Sequence, residues 1–212
     1  MIYCQPVSGM FTTNAYFYID DSTNSGFIID PGAESDLLLN IIYSNDLNIE
    51  QILLTHGHFD HFGAAQKIQD ELKIPICIHE EGKEYVENPI HNLSANSRSS
   101  IILKNVTYLK NHYRIISKYN NKFYLELIHI PGHTTDSSMY YNKNDNVAFV
   151  GDMIFKNAMA ITNFWGGDFE IWIENVSKKI LTLPKHTVLL SGHTDQTTVG
   201  DELTRPWYQQ YI

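Results

Sequence analysis

The chain is poor in cysteine, in long apolar runs and in positive charge. Cys4 and Cys77 are its only cysteines. Two thiols are too few for a disulfide framework and suit a reducing compartment. No segment approaches the ~20 consecutive apolar residues of a membrane span. The opening Met1-Ile2-Tyr3-Cys4-Gln5-Pro6 has neither the charged nor the apolar region of a signal peptide. A cytoplasmic protein with no membrane partner is therefore expected. The net charge of −9 argues against a nucleic-acid-binding surface. No G-x-S-x-G elbow offers a serine nucleophile. No linker or low-complexity tract divides the 212 residues, a length that supports a single domain, 1–212, with a sizeable core.

What the chain does have is histidine and aspartate at strand ends. Ile52-Leu53-Leu54 runs into Thr55-His56-Gly57-His58-Phe59-Asp60-His61. Leu125 to Ile130 runs into Pro131-Gly132-His133-Thr134, Val147 to Val150 into Gly151-Asp152, and Val188 to Leu190 into Ser191-Gly192-His193-Thr194. Loops at the ends of rigid strands are where sites are built. Neutral imidazole and carboxylate are the usual ligands of zinc and similar divalent metals. In extended backbone, residues two apart share a side, so His56 and His58 can grip one ion together.

Each loop also has a plainer reading. Asp60 fits an N-cap for a helix over roughly 61–72. A lone His133 or His193 fits a hydrogen-bonded surface histidine, and Asp152 an ordinary turn residue. Chance rarely packs three histidines and an aspartate into the span His56–His61 behind an apolar strand. Together the four loops read as a metal centre of two ions. Gly132, Gly151 and Gly192 permit tight turns and close backbone approach there. His79, His91, His112, His129 and His186 fall outside the pattern and are assigned no role.

Along the chain, 11–19 and 26–29 read as a hairpin turning at Asp21–Ser25, and 34–45 repeats its leucines and isoleucines at helical spacing. Strands are expected at 51–54, 75–78, 106–109, 113–118, 123–130, 137–141, 146–150 and 187–190. Helices are expected at 168–181 and from Thr198 onward, and a helix plus a loop over the site at 80–100. This pattern defines a layered α/β or α+β domain.

The string Thr55-His56-x-His58-x-Asp60-His61 resembles the T-H-x-H-x-D-H signature of the metallo-β-lactamase superfamily, and the later loops follow that family's order from about residue 10 to 205. The resemblance implies an αββα sandwich, two mixed sheets flanked by helices, with metals at one sheet edge. It implies one metal on His56, His58 and His133, a second on Asp60, His61 and His193, and Asp152 bridging them. Zinc is the expected metal, with iron or manganese as other candidates. Bound metal lowers the pKa of water toward ~7, so metal-assisted hydrolysis of a small molecule is expected, with Asp60 also orienting the attacking hydroxide.

An aspartate at position 152 is similar to the thioesterase, lactonase, dioxygenase and phosphodiesterase branches. The tail Gly192-His193-Thr194-Asp195-Gln196-Thr197-Thr198-Val199-Gly200-Asp201-Glu202 is similar to the ending of hydroxyacylglutathione hydrolases (glyoxalase II) and their short bacterial relatives. The paired threonines also read as a helix cap. Two departures stand against glutathione specificity. The glyoxalase II C-terminal helical domain has no counterpart before Ile212, and the segment Phe155–Asp168 contains no arginine. Phe164 and Trp165 in that segment are candidates to line the substrate pocket, alongside core packing. The leading expectation is a dinuclear zinc thioester or ester hydrolase. The competing ones are a mononuclear iron persulfide dioxygenase on His56, His58, His133 and Asp152, and a non-enzymatic module with a retained site. Nothing in the sequence speaks to oligomeric state.

Overall fold

Period-two alternation along the strands sorts their side chains into three layers. Phe17 and Ile19 lie on one side of their strand and Tyr16 and Tyr18 on the other; Ile52 and Leu54 oppose Leu53; Ala148 and Val150 oppose Phe149. Strands buried on both faces must be covered on both. The computed structural model, which describes residues 1–95 and 100–211, shows how.

Two six-stranded mixed sheets face each other. The first runs β1 (Ile2–Ser8), β2 (Thr12–Asp20), β3 (Ser25–Ile29), β4 (Asn48–Leu53), β5 (Ile76–His79) and β6 (Val106–Leu109), in that spatial order. The second contains β7 (Arg114–Ile116), β8 (Tyr124–His129), β9 (Ser138–Asn142), β10 (Val147–Gly151), β11 (Val188–Ser191) and β12 (Thr197–Thr198), again in chain order across the sheet. Between them lies an aromatic core in which Tyr18 stacks on Phe123 at 4.4 Å and Phe149 meets Tyr16 edge-on at 5.5 Å. The buried hydroxyls find backbone partners, Tyr16 donating to Ser191 O and Tyr140 to Leu54 O.

Helices α1 (Ser35–Ser44) and α3 (Ala65–Leu72) cover the outer face of the first sheet, and α5 (Phe169–Asn175) covers the second through Trp172, Ile173 and its continuation. The short α2 (Phe59–Phe62), α4 (Lys83–Val86), α6 (Val199–Glu202) and α7 (Pro206–Gln209) complete the flanks. The αββα sandwich expected from the sequence is the architecture observed. Among the described residues no helix is long and apolar enough to cross a membrane.

Several boundaries differ from expectation. Strand β1 gives no strand pattern in the sequence because it is an edge strand, largely exposed, and contains Pro6. The expected 61–72 helix is two helices, α2 and α3. Gly63 lies where a Cβ would stand 2.4 Å from Gly32 O, and Ala64 N donates to Pro31 O, so the chain bends there to pack on the Pro31-Gly32 turn. The 168–181 helix begins as α-helix and widens to a π-helix over Val176–Ile180. Of the 80–100 segment, residues 96–99 lie outside the described residues; the rest holds α4 and turns.

Candidate metal centre

The loops after β4, β8, β10 and β11 bring all seven predicted ligand side chains together in three overlapping groups: His56–His58–His133, His56–His61–Asp152 and Asp60–His61–His193. Backbone bonds tie the loops to one another. Gly192 N donates to Gly151 O, Ser138 N to Thr55 O, and Asn14 N to Gly192 O. The β10–β11 register slips between Phe149 and Gly151, where Gly151 has φ +52°. This irregularity re-aims the chain so that Asp152 turns into the cluster. Gly192 is required for space: a Cβ there would stand 2.4 Å from Asp152 Oδ1 and 2.5 Å from His61 Cε1. Gly132 packs instead on Trp172 of α5, so its close approach is to the core and not to the cluster.

The ring tautomers follow from the far-side partners. His133 Nδ1 donates to Ile161 O at 2.6 Å, and His193 Nδ1 to Thr12 O at 2.8 Å. His61 Nδ1 donates to Asp30 Oδ2 at 3.0 Å. Thr55 Oγ1 gives its proton to Asp30 Oδ2 and so accepts from His56 Nδ1 at 3.2 Å. The inward atoms left over are His56 Nε2, His58 Nδ1 and His133 Nε2, with His58 Nδ1 standing 3.1 and 3.0 Å from the other two. His58 Nε2 is buried with no hydrogen-bond partner; with the His58 proton on that outer nitrogen, all three inward atoms present lone pairs toward one point. Tetrahedral nitrogen ligands on zinc stand roughly 3.3–3.4 Å apart, so the set fits a metal ion.

The second group is built differently. His193 Nε2 lies 3.3 Å from both Asp60 Oδ2 and Asp152 Oδ2; His61 Nε2 lies 3.4 Å from Asp152 Oδ1; His133 Nε2 lies 3.6 Å from Asp152 Oδ2. One carboxylate oxygen thus faces both groups. His61 Nε2 and Asp152 Oδ1 are buried with no hydrogen-bond partner, as donor atoms of a metal ion would be.

Electrostatics separates the two groups. Burial, helped by neighbouring imidazoles, holds His56 well below its ordinary pKa, lowers His133, and pushes His58 down to about 3. Burial opposes charge at His61 and His193 too, but there carboxylates win. Asp152, Asp60 and Asp30 hold His61 well above its ordinary value, and hydrogen bonds to Asp152 and Asp60 raise His193 to about 10. Burial works against ionisation of Asp60 and Asp152, yet the charges of His61, His193 and, for Asp152, His133 keep both below the usual carboxylate range.

Asp60 does not cap a helix. His58 occupies the N-cap position of α2 without a side-chain bond, and Asp60 sits in the first turn facing His193. The cap reading of the threonine pair holds for Thr198, whose hydroxyl accepts from Asp201 N at the start of α6, while Thr197 donates to buried Glu202.

A cleft of about 270 Å³ opens onto the cluster. Its floor is His58, Asp60, His133, Asp152 and His193. Its walls are Phe11, Leu93, Phe155, Ile161 and Phe164. Phe164 lines the cleft, edge-on to His58 at 5.4 Å and His133 at 5.8 Å. Trp165 does not line the cleft: it stacks on His91 at 3.5 Å, meets Tyr85, and is 42% exposed. Adjacent residues of an irregular segment face opposite ways, and sequence order alone does not say which faces in.

Asp30 went unread as a functional residue. Its carboxylate accepts from Thr55 N at 2.8 Å and Thr55 Oγ1 at 2.7 Å while holding His61. Its place directly after an apolar strand is the one feature it shares in sequence with Asp152.

A family model described as the metallo-beta-lactamase superfamily matches residues 8–193. The chain belongs to that superfamily. Among curated relatives, the hydroxyacylglutathione hydrolase GloC of Haemophilus influenzae is 32% identical over 196 residues, covering 91% of this chain and 90% of that protein. Among solved structures, the BLEG-1 B3 metallo-beta-lactamase superposes with TM-score 0.91 at 32% identity, covering 98% of this chain and 99% of that one. TTHA1623 in a di-iron-bound form superposes with TM-score 0.81 at 29% identity, covering 96% and 99%.

Proposed function

We propose that this protein is a metal-dependent hydrolase that cleaves a small thioester or ester with a dinuclear centre, zinc being the expected metal. The observation that carries the reading is the convergence of a complete two-group ligand set with Asp152 Oδ2 facing both groups. His56, His58 and His133 would hold one ion, Asp60, His61 and His193 the other, and Asp152 both. When bound, the ions supply Lewis acidity toward a carbonyl and acidify water toward neutral pH.

The chain's own residues do the rest. Ile161 O and Thr12 O fix the rings of His133 and His193, so their inward nitrogens are pre-aimed. Asp60 is held ionised beside His193 and can only accept hydrogen bonds, which suits it to orient a water at the cleft floor. Phe155 and Phe164 set apolar rings beside that floor. No serine or cysteine lines the cleft among the described residues, in keeping with direct attack by water. The relative's name supports an acyl thioester substrate, and the di-iron-bound neighbour supports a two-ion centre while keeping iron open as its identity.

The test is to strip the protein with chelator and reload it with zinc, iron or manganese. Each form is then assayed on simple acyl thioesters, esters, lactoylglutathione and a β-lactam. Metal-dependent thioester or ester hydrolysis is expected. Oxygen uptake on glutathione persulfide without hydrolysis would replace this reading with the dioxygenase, and a β-lactam preference would move it to the amide.

A further inference from the structure

The walls of the cleft differ from its floor. All charge in the lining belongs to the aspartate and histidine floor, and no lysine or arginine lines the cleft among the described residues. The cation that follows Asp152 in the chain, Lys156, pairs with Asp195 at 3.3 Å and lines a separate groove. Among the described residues, an anionic carrier such as glutathione therefore meets no fixed cation at the walls. What a substrate does meet is five apolar side chains from three segments: Phe11 from the β1–β2 turn, Leu93 from the segment after α4, and Phe155, Ile161 and Phe164 from the segment after β10. Phe155 and Phe164 put ring edges against His193, His58 and His133. The volume of about 270 Å³ sits just under the range that holds drug-sized ligands.

We propose, resting on the hydrolase reading, that the cleft selects substrates by an apolar acyl group, short aliphatic or aromatic, packed against Ile161 and Phe164. Ile161 is the specificity-determining residue. Its carbonyl orients His133 while its side chain, 52% exposed, forms cleft wall. A change of side chain at 161 therefore alters the wall and leaves the carbonyl in place. Its exposure means that the fold tolerates the change.

The experiment measures kcat/KM for acetyl, butyryl, hexanoyl and phenylacetyl thioesters of one simple thiol, with lactoylglutathione as the hydroxylated, anionic comparison. It also measures, by calorimetry on the metal-loaded protein, binding of ketone analogues in which a methylene replaces the thioester sulfur. The expected result is a rise of up to about fourfold per methylene added until the cleft is full. Analogue binding should show a heat-capacity change that grows more negative with chain length. Ile161→Lys should lower the ratio of hexanoyl to lactoylglutathione kcat/KM about tenfold. Phe164→Leu should shift the preferred acyl length without abolishing the slope.

Flat series in both rate and binding, or a ~100-fold preference for lactoylglutathione, would overturn the proposal. Chain-length-dependent analogue binding with no hydrolysis of any ester or thioester would sink the hydrolase reading and leave the apolar cleft standing.

Discussion

His56, His58 and His133 are held neutral by burial, whereas His61 and His193 are held charged by carboxylates. The two groups lie side by side and share Asp152, yet their charge differs. The first is a set of neutral rings whose inward nitrogens converge. The second carries protons on its imidazoles, paired with Asp60, Asp152 and Asp30. If the cluster holds two ions as proposed, similar ligands give them unlike proton costs. A metal entering the first group displaces little, and one entering the second must displace protons.

The shared carboxylate is where this contrast is most easily broken. Asp152→Ala should lower kcat by roughly 10³-fold, since several kcal/mol of charge stabilisation is lost with a disturbed centre. Metal analysis should show loss from the second group first. Replacing His79, His91, His112 or His186 should leave turnover within about threefold, all four lying outside the ligand groups. Wild-type turnover with full metal in the Asp152 variant would remove the bridging role.

A finer cut is Asp30→Asn. Asp30 anchors His61 directly and His56 only through Thr55. Affinity for the second ion should fall about 10–100-fold, with a smaller loss at the first, read by competition with a chromophoric chelator. Equal losses at both would show that the groups are not separable.

The contrast also sets a pH profile for the metal-free protein. His193 is raised to about 10 from 6.5, so its ion pairs stabilise the fold fully below pH 6.5 and are lost as pH rises toward 10. His58 is lowered to about 3, so below pH 6.5 the unfolded chain gains a proton that the native ring refuses, and stability falls toward pH 3. The Tm of chelated protein should decline on both sides of about pH 6.5. His193→Gln should shrink the alkaline limb, the remainder coming from His61, and an unchanged limb would mean that the His193 ion pairs do not form.

The smallest effect lies downstream of the second group. Thr198 caps α6 behind the His193 loop, while α2 behind His58 has no side-chain cap. Thr198→Ala should cost about 1 kcal/mol of stability by denaturant unfolding and leave the first ion's affinity unchanged.

Sequence made the centre legible because its ligands announce themselves locally. His56 to His61 form one string, and His133, Asp152 and His193 each follow an apolar strand and a glycine. The sandwich was legible for the same reason, since alternation such as Phe17 against Tyr18 requires two covered faces. What stayed hidden depends on distant partners. Asp30 looks like a turn residue until β3 pairs with β4 and places it beside His61, 31 positions away. The break between α2 and α3 is made by packing on Gly32 and not by any helix-breaking pair in the string itself. Phe164 and Trp165 have equal claims in sequence, and only the turn that stacks Trp165 on His91 separates them. The unlike charge states of the two groups are set by burial and neighbours, which no spacing encodes.

The central claim is two ion sites with unequal proton costs. Its most direct test is calorimetric titration of chelated protein with zinc at pH 7 in two buffers of different ionisation enthalpy, which counts protons released per ion. The account predicts two equivalents, the first bound with almost no proton release and the second displacing at least one proton. Saturation at a single equivalent, or equal proton release at both steps, would contradict it.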